Sequence, residues 1–172
     1  MTWTLRRAVP EDAGAAALVA GASFLETFAG DRSGADIVAH VANKSSPAAM
    51  AAWIADPAAI LTLAEHPQGH APVGYTLLTP PDLPIAPGPQ DIELRRIYAL
   101  SITRGTGLGS AMMARAIADA KAKGFDRMLL GVLTTNRTAR AFYERQGFTL
   151  VGERRFLVGA TWNDDVVYAR SI

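Results

Sequence analysis

The spacing of apolar residues along the chain predicts alternating strands and helices. Residues 2–8 alternate in polarity and predict a first strand, and the almost wholly apolar run 127–132 predicts a strand buried on both faces. Pro10, two acidic residues and an alanine-rich run predict a helix that continues to about Phe28. The other predicted helices cover residues 35–43, 47–55, 110–124 and 134–146, and the other predicted strands cover 60–65, 73–78, 93–100, 150–158 and 161–169. This order predicts an α/β fold (α+β in some schemes), with a mixed sheet between two helical layers.

Residues 80–89 carry five prolines and predict an extended loop that cannot join a sheet. A domain boundary there would leave the first half of the chain without its sheet partners. The 172 residues, 49% of them hydrophobic, provide enough material for one core. We therefore expect a single domain over residues 1–172.

Charge and composition exclude several classes of function. A net charge of +1 with interspersed signs gives no reason to expect a nucleic acid or membrane partner. There is no cysteine, and His40, His66 and His70 lack the spacing of metal ligands, so we expect no metal. The start of the chain lacks a leader pattern, and no apolar run reaches ~18 residues, so we expect a cytoplasmic protein.

A glycine-rich turn joins the strand 93–100 to the next helix and is the strongest local signal. It consists of Arg104, Gly105, Thr106, Gly107, Leu108 and Gly109. Glycines at alternate positions remove every Cβ from one side of the turn, so main-chain N–H groups can approach a ligand where the helix begins. Helix N-termini attract anions, and Arg104 adds a positive charge. A pyrophosphate is the expected ligand.

Two other nucleotide motifs fail on spacing. A Walker loop needs Lys-Ser or Lys-Thr after its glycines, and neither follows here. A dinucleotide fold needs GxGxxG in its first βαβ unit, with an acid at the end of the next strand. In this chain the third glycine comes one residue early, Asp126 precedes the strand, and more than ninety residues come before the unit.

A second motif follows the turn by about thirty residues. It reads NxxAxxFYxxxGF from Asn136 to Phe148. The residues are explicable as a helix cap at Asn136, an aromatic pair and a glycine stop. Together with RxxGxG from Arg104 to Gly109, in this order, the motif nevertheless resembles the two signatures of the GCN5-related N-acetyltransferase (GNAT) family.

The resemblance implies a GNAT fold, with a mostly antiparallel twisted sheet, and acetyl-CoA as cosubstrate. It places the pyrophosphate on the glycine turn, and Asn136 beside the pantetheine arm or phosphate region. The main chain of Tyr98, Ala99 and Leu100 would pair with pantetheine like an added strand. Many relatives carry Lys or Arg where this chain has Thr106, so one phosphate contact is expected to be weaker.

The resemblance also suggests two catalytic residues. Tyr143 would lie beside the sulfur and return a proton to the departing thiolate, with anchoring of its helix as the alternative role. Glu93 would deprotonate the amine through water, with a strand-end surface charge as the alternative. A main-chain N–H near Leu100 would bind the oxyanion.

The acceptor is less sharply indicated. Gly131 stands where enzymes that acetylate protein N-termini carry glutamate, which counts against that activity. The segments 24–28, 93–100 and 156–165 resemble the PaiA-type spermine/spermidine acetyltransferases, so a small-molecule primary amine, and a polyamine in particular, is expected. Four acids could recognise a polycation: Glu26, Asp31, Asp36 and Asp165. Acetylation of a protein lysine, a non-catalytic acyl-CoA sensor and a homodimer stay open.

Overall fold

The computed structural model describes residues 2–158 and 160–172, apart from the side chains of Phe156 and Val158. Gly159, inside the segment 156–165 named above, lies outside the described residues. The helices are α1 Ala13–Phe28, α2 Gly34–Lys44, α3 Pro47–Ala55, α4 Leu108–Ala122 and α5 Arg137–Arg145. The strands are β1 Thr4–Arg7, β2 Ile60–Glu65, β3 Pro72–Thr79, β4 Asp91–Ala99, β5 Arg127–Leu133, β6 Thr149–Val158 and β7 Thr161–Ser171.

The strands form one sheet in the order β1-β2-β3-β4-β5-β7-β6. Its neighbours pair antiparallel except for β4 and β5, which are parallel. The parallel pair is possible because α4 carries the chain back between these two strands. The predicted mixed, mostly antiparallel sheet is confirmed.

Two helical layers cover the sheet, as predicted. On one face α1 and α3 bury Val19 and Met50 against Leu61 and Leu77 of the sheet. On the other face α4 packs Met113 and its neighbours against β3, β4 and β5, and α5 adds Tyr143. No helix in the described residues is both long enough and apolar enough to cross a bilayer.

Some element boundaries differ from the prediction because hydrogen bonds between residues distant in sequence determine where these elements begin. The helix α5 begins at Arg137 instead of Thr134, since the Thr134 N–H donates to Asp164 and extends the sheet contact. The strand β4 begins two residues early, at Asp91, whose carboxylate binds the Arg127 side chain of β5. The proline-rich loop forms no strand, and its Asp82 N–H donates to the Glu93 carboxylate.

A cleft opens in the middle of the sheet. The parallel pairing of β4 and β5 ends at Glu93 and Leu129. Beyond that point β4 stays paired with β3 up to Ala99, while β5 stays paired with β7 up to Leu133. The two strands therefore part, and the end of β4 presents an unpaired edge beside the N-terminus of α4.

Candidate active site

The turn before α4 is shaped by two glycines. Gly105 and Gly107 have φ angles of 75° and 83°, and Gly107 is the N-cap of α4. This left-handed region is costly for any residue with a Cβ. At Gly109, by contrast, an added Cβ would lie 3.5 Å from the Phe142 ring, an ordinary contact, within the helical turn. The left-handed backbone therefore requires glycine at Gly105 and Gly107, and not at Gly109.

The turn presents a row of free main-chain donors. Among the described residues no acceptor binds the N–H groups of Gly105, Gly107, Leu108, Gly109 and Ser110. The first bond of α4 is donated by Ala111 to Gly107. The Arg104 side chain is exposed at the entrance. Unpaired amides at a helix N-terminus with an adjacent guanidinium form an anion site.

Thr106, unlike its neighbours in this turn, uses its donors within the protein. Its N–H and its hydroxyl both donate to the Thr103 carbonyl, over 3.3 Å and 2.6 Å. These groups hold the turn closed. Thr106 therefore contributes to the shape of the turn and adds no free donor.

The unpaired edge of β4 has a definite set of main-chain groups. The Leu100 N–H donates to the Val73 carbonyl, and the Leu100 carbonyl accepts from Thr103, so both groups are used within the protein. Since main-chain groups alternate in direction along an antiparallel pair, those of Ala99 and Ile97 point to the cleft. Of the three residues predicted to pair with pantetheine, Ala99 is thus the one with free groups. Ile97 was missed because only the register of β3 and β4 reveals its direction.

Asn136 and Tyr143 lie on α5, at the end of β5. The Asn136 Oδ1 accepts from the Ala139 N–H at 3.1 Å, which is the predicted N-cap and leaves the amide NH₂ to donate elsewhere. Tyr143 is 8% exposed and packs edge-on against Phe142 and Phe148. Burial raises the pKa of the Tyr143 hydroxyl, so it keeps its proton at neutral pH.

Glu93 lies at the base of the cleft and is 4% exposed. Its Oε2 accepts from the Asp82 N–H at 2.8 Å. Glu93 pairs with Thr79, Ile97 with Thr76 and Ala99 with Gly74, so at about 3.3 Å per residue Ile97 lies about 10 Å and Ala99 about 17 Å further along the sheet. The carboxylate does not reach either level directly.

The α1–α2 side of the cleft carries charges that the sequence did not single out. Arg32 follows α1, and its guanidinium lies 4.8 Å from the centre of the Phe28 ring. Phe28 belongs to a cluster that contacts Tyr98 of β4 and Leu133 of β5. Asp165 is the pairing partner of Leu133 on β7. Arg32 has no sequence signal, since it is one basic residue in a short loop.

Asp165 is the most buried acid on this side, at 3% exposure. Its Oδ2 binds Arg154 at 3.1 Å, and burial raises the pKa of its carboxyl. The guanidinium of Arg154 lies over Gly131, where a Cβ would come within 2.9 Å of its Nη2. Gly131 thus leaves room for the arginine. A cavity of ≈ 530 Å³ adjoins the pair.

The other acids predicted to recognise a polycation differ in exposure and in their partners. The Glu26 carboxylate accepts from the N–H and the hydroxyl of Ser101 and so fixes the end of β4. Asp31 is exposed beyond α1, and Asp36 is half-buried in the first turn of α2. Two of the four acids, Glu26 and Asp165, thus already bind other groups of the protein.

Three comparisons place the chain among known proteins. The acetyltransferase (GNAT) family matches residues 25–148. An uncharacterized N-acetyltransferase from Mycobacterium tuberculosis is 36% identical over 131 residues, which are 76% of this chain and 78% of that protein.

Solved structures share the fold over the whole chain. The PaiA N-acetyltransferase from Thermoplasma acidophilum, solved with coenzyme A, is 22% identical, with a TM-score of 0.81 and full coverage of both chains. An acetyltransferase from Salmonella typhimurium, solved with acetyl-CoA, is 19% identical, with a TM-score of 0.68 over 99% of this chain and 94% of that one.

Proposed function

The chain belongs to the GNAT family of acetyltransferases and is an acyltransferase, and we propose that it moves the acetyl group of acetyl-CoA to a primary amine of a small molecule. The acetyl donor supplies an activated thioester. The protein supplies an anion site, an unpaired strand edge and groups that can accept or donate a proton.

The row of free amides at the start of α4 is the observation that carries this proposal. Gly105, Gly107, Leu108, Gly109 and Ser110 present unpaired N–H groups, and the exposed Arg104 stands beside them. This arrangement suits a pyrophosphate, which accepts several hydrogen bonds and carries negative charge. The free groups of Ala99 and Ile97 continue from that site along β4, as an extended pantetheine arm requires.

The reaction follows from where these groups lie. The amine nitrogen attacks the thioester carbonyl carbon, a C–N bond forms and the C–S bond breaks. The outward N–H groups of Ile97 and Ala99 are the candidates to stabilise the oxyanion. Their position refines the expectation of a donor near Leu100, whose own N–H is bound to Val73.

Protons must move at both the nitrogen and the sulfur. The acceptor, an ammonium at neutral pH, loses one proton before it attacks, and we assign this proton to Glu93 through water because the carboxylate is buried at the base of the cleft. The nitrogen loses a second proton as the amide forms, and this proton replaces the one that Tyr143 gives to the sulfur. The departing thiolate gains one, which we assign to Tyr143. Burial raises the pKa of Tyr143, so the hydroxyl carries its proton at neutral pH.

A polyamine is the acceptor class suggested by the sequence resemblance to PaiA-type enzymes. Exposed Asp31 and half-buried Asp36 support it, since they can attract a polycation. Glu26 and Asp165 already bind Ser101 and Arg154. A polyamine therefore belongs in the acceptor panel beside amino acids and simple amines.

The test is release of free coenzyme A from acetyl-CoA, followed with each acceptor of the panel, with mass spectrometry of the acetylated product. We expect at least one small amine to stimulate release, and Tyr143→Phe to slow it while binding acetyl-CoA as the wild type does. If acetyl-CoA binds but no amine stimulates release, the proposal fails in favour of a non-catalytic acyl-CoA sensor. Transfer to protein lysines or N-termini alone would replace the small-molecule acceptor.

A further inference from the structure

Two buried polar atoms beside the cleft lack a partner. Among the described residues, four buried side-chain atoms make no hydrogen bond, and two of these are the Nε of Arg32 and the Oδ1 of Asp165. The other two belong to Trp3 and Thr62, toward the β1 edge of the sheet. A buried donor or acceptor without a partner is destabilising, and a bound ligand is one way to satisfy it.

The fold brings the two residues that carry these atoms near one another. Arg32 lies on Phe28, Phe28 packs in the cluster that contacts Leu133, and Leu133 pairs with Asp165. Arg32 is close enough to act on the charge of Asp165. Within the described residues, however, the ion pair of Asp165 is made with Arg154. A buried donor and a buried acceptor thus lie near one another with no hydrogen bond between them.

The site is also at the right height along the sheet. Glu93 is level with Leu129, and a bulge adds one residue to β4 at Arg95, so Leu133 is roughly level with Tyr98. Asp165 pairs with Leu133 and so lies at this level of the cleft. The free main-chain groups on either side of Tyr98, those of Ile97 and Ala99, face that cleft. An amine held by Asp165 would therefore stand at the level of the proposed oxyanion donors.

The surrounding charge favours an acid on the acceptor. Burial, and then the nearby positive charges of Arg96, Arg32 and Lys44, lower the pKa of His40 to about 4. His40 is therefore neutral at physiological pH and stacks on Phe24. The α1–α2 side of the cleft thus carries Arg32 and Arg96 besides the acids Asp31 and Asp36, and these arginines can pair with a carboxylate.

We propose that the acceptor is an amine that also carries an acidic group, as an α-amino acid does, with its carboxylate bound by Arg32 and its amine bound by Asp165. This inference rests on the proposed function, because it assigns the substrate class of the same site. Such a ligand supplies an acceptor to the Arg32 Nε and a donor to the Asp165 Oδ1. A polyamine could satisfy only the second atom.

The test compares matched ligands by calorimetry on the protein loaded with coenzyme A. Each pair is an amino acid and its decarboxylated amine: leucine with isopentylamine, phenylalanine with phenethylamine, and lysine with cadaverine. Spermidine is added as the polyamine. In at least one pair we expect the amino acid to bind at least about tenfold more tightly, since a site built for a polar group rejects the analogue that lacks it.

Two variants that each remove one positive charge distinguish a specific contact with Arg32 from a general effect of the protein's charge. Arg32→Gln should bring the two ligands of a pair to within about twofold of each other, because the carboxylate loses its charged partner. Arg145→Gln is the control, since Arg145 is exposed on α5, on the opposite face of the sheet. It should leave the ratio unchanged.

The outcomes distinguish this inference from the proposed function. The inference is overturned if the amine binds as tightly as the amino acid in every pair, if spermidine binds most tightly, if no ligand binds, or if Arg32→Gln leaves the ratio intact. Release of coenzyme A is measured in the same mixtures. If coenzyme A is released with amines that lack a carboxylate and not with amino acids, the proposed function stands and the inference is overturned. Selective binding without release would support the site and overturn the proposed function.

Discussion

Replacing Gly107 by alanine tests the anion site at the start of α4. Gly107 has a φ of 83° and no atom within 4 Å of the position that a Cβ would take. The substitution therefore introduces strain of about 1–2 kcal/mol without a clash. For a chain of this size we expect the midpoint of thermal unfolding to fall by roughly 2–8 °C.

The effect on acetyl-CoA should be larger than the effect on stability. Relief of the strain turns the first amides of α4 away from the pyrophosphate. Loss of one hydrogen bond to a charged group costs about 1.5–3 kcal/mol, which corresponds to a weakening of about 10- to 150-fold. Calorimetric titration with acetyl-CoA measures it directly.

Gly124 provides the matched control. Its φ is 86°, its Cβ position is equally open, and it lies at the other end of α4, about 22 Å away along the helix. Gly124→Ala should lower stability by a similar amount and leave acetyl-CoA binding unchanged. Gly109→Ala, which needs no unusual backbone angle, should also retain binding. The reasoning is refuted if Gly107→Ala binds as the wild type does, or if Gly124→Ala weakens binding equally.

Three further substitutions test other parts of the account. Tyr143→Phe should lower kcat about 10²-fold or more, since it removes the proposed proton donor, and should change the Kd for acetyl-CoA little. A kcat equal to that of the wild type would show that Tyr143 is only a packing residue. In Glu93→Gln the side-chain amide can still accept from the Asp82 N–H, so the variant should fold normally. Its kcat/KM should be lower than that of the wild type at neutral pH and should recover as the pH approaches the pKa of the free amine, ~10.4. A pH profile like that of the wild type would exclude Glu93 as the base. The Arg127 guanidinium lowers the pKa of buried Asp91, so the carboxylate adds stability that is present above its unfolded pKa, ~3.9, and is lost as the pH falls through the lower folded value. Asp91→Asn should reduce that acid dependence in urea titrations, and an unchanged slope would contradict the assignment.

The sequence predicted the order of elements well because each has a local signal. Proline at the start of α3 and the apolar run of β5 identify those elements without tertiary information. The observed boundaries differ from the predicted ones where long-range hydrogen bonds determine them. For example, the Thr134 N–H donates to Asp164, and α5 therefore begins later than predicted.

The candidate site was predictable to different degrees on its two sides. The glycine turn and Asn136 are local motifs, and local backbone geometry places them as predicted. Arg32 and the free main-chain groups of Ile97 depend on how α1, β3 and β7 meet, which no short pattern encodes. For the same reason the sequence could not reveal that Glu26 binds Ser101 and that Asp165 binds Arg154.

The central claim is acetyl transfer from acetyl-CoA to the nitrogen of a small amine. Its most direct measurement is mass spectrometry of the acceptor after incubation with the protein and isotopically labelled acetyl-CoA. We predict that the label appears in an amide on the acceptor, in equal amount to the coenzyme A released, and that Tyr143→Phe reduces both together. Release of coenzyme A without label on any acceptor, or no release with an acceptor panel that spans amino acids, simple amines and polyamines, would contradict the account.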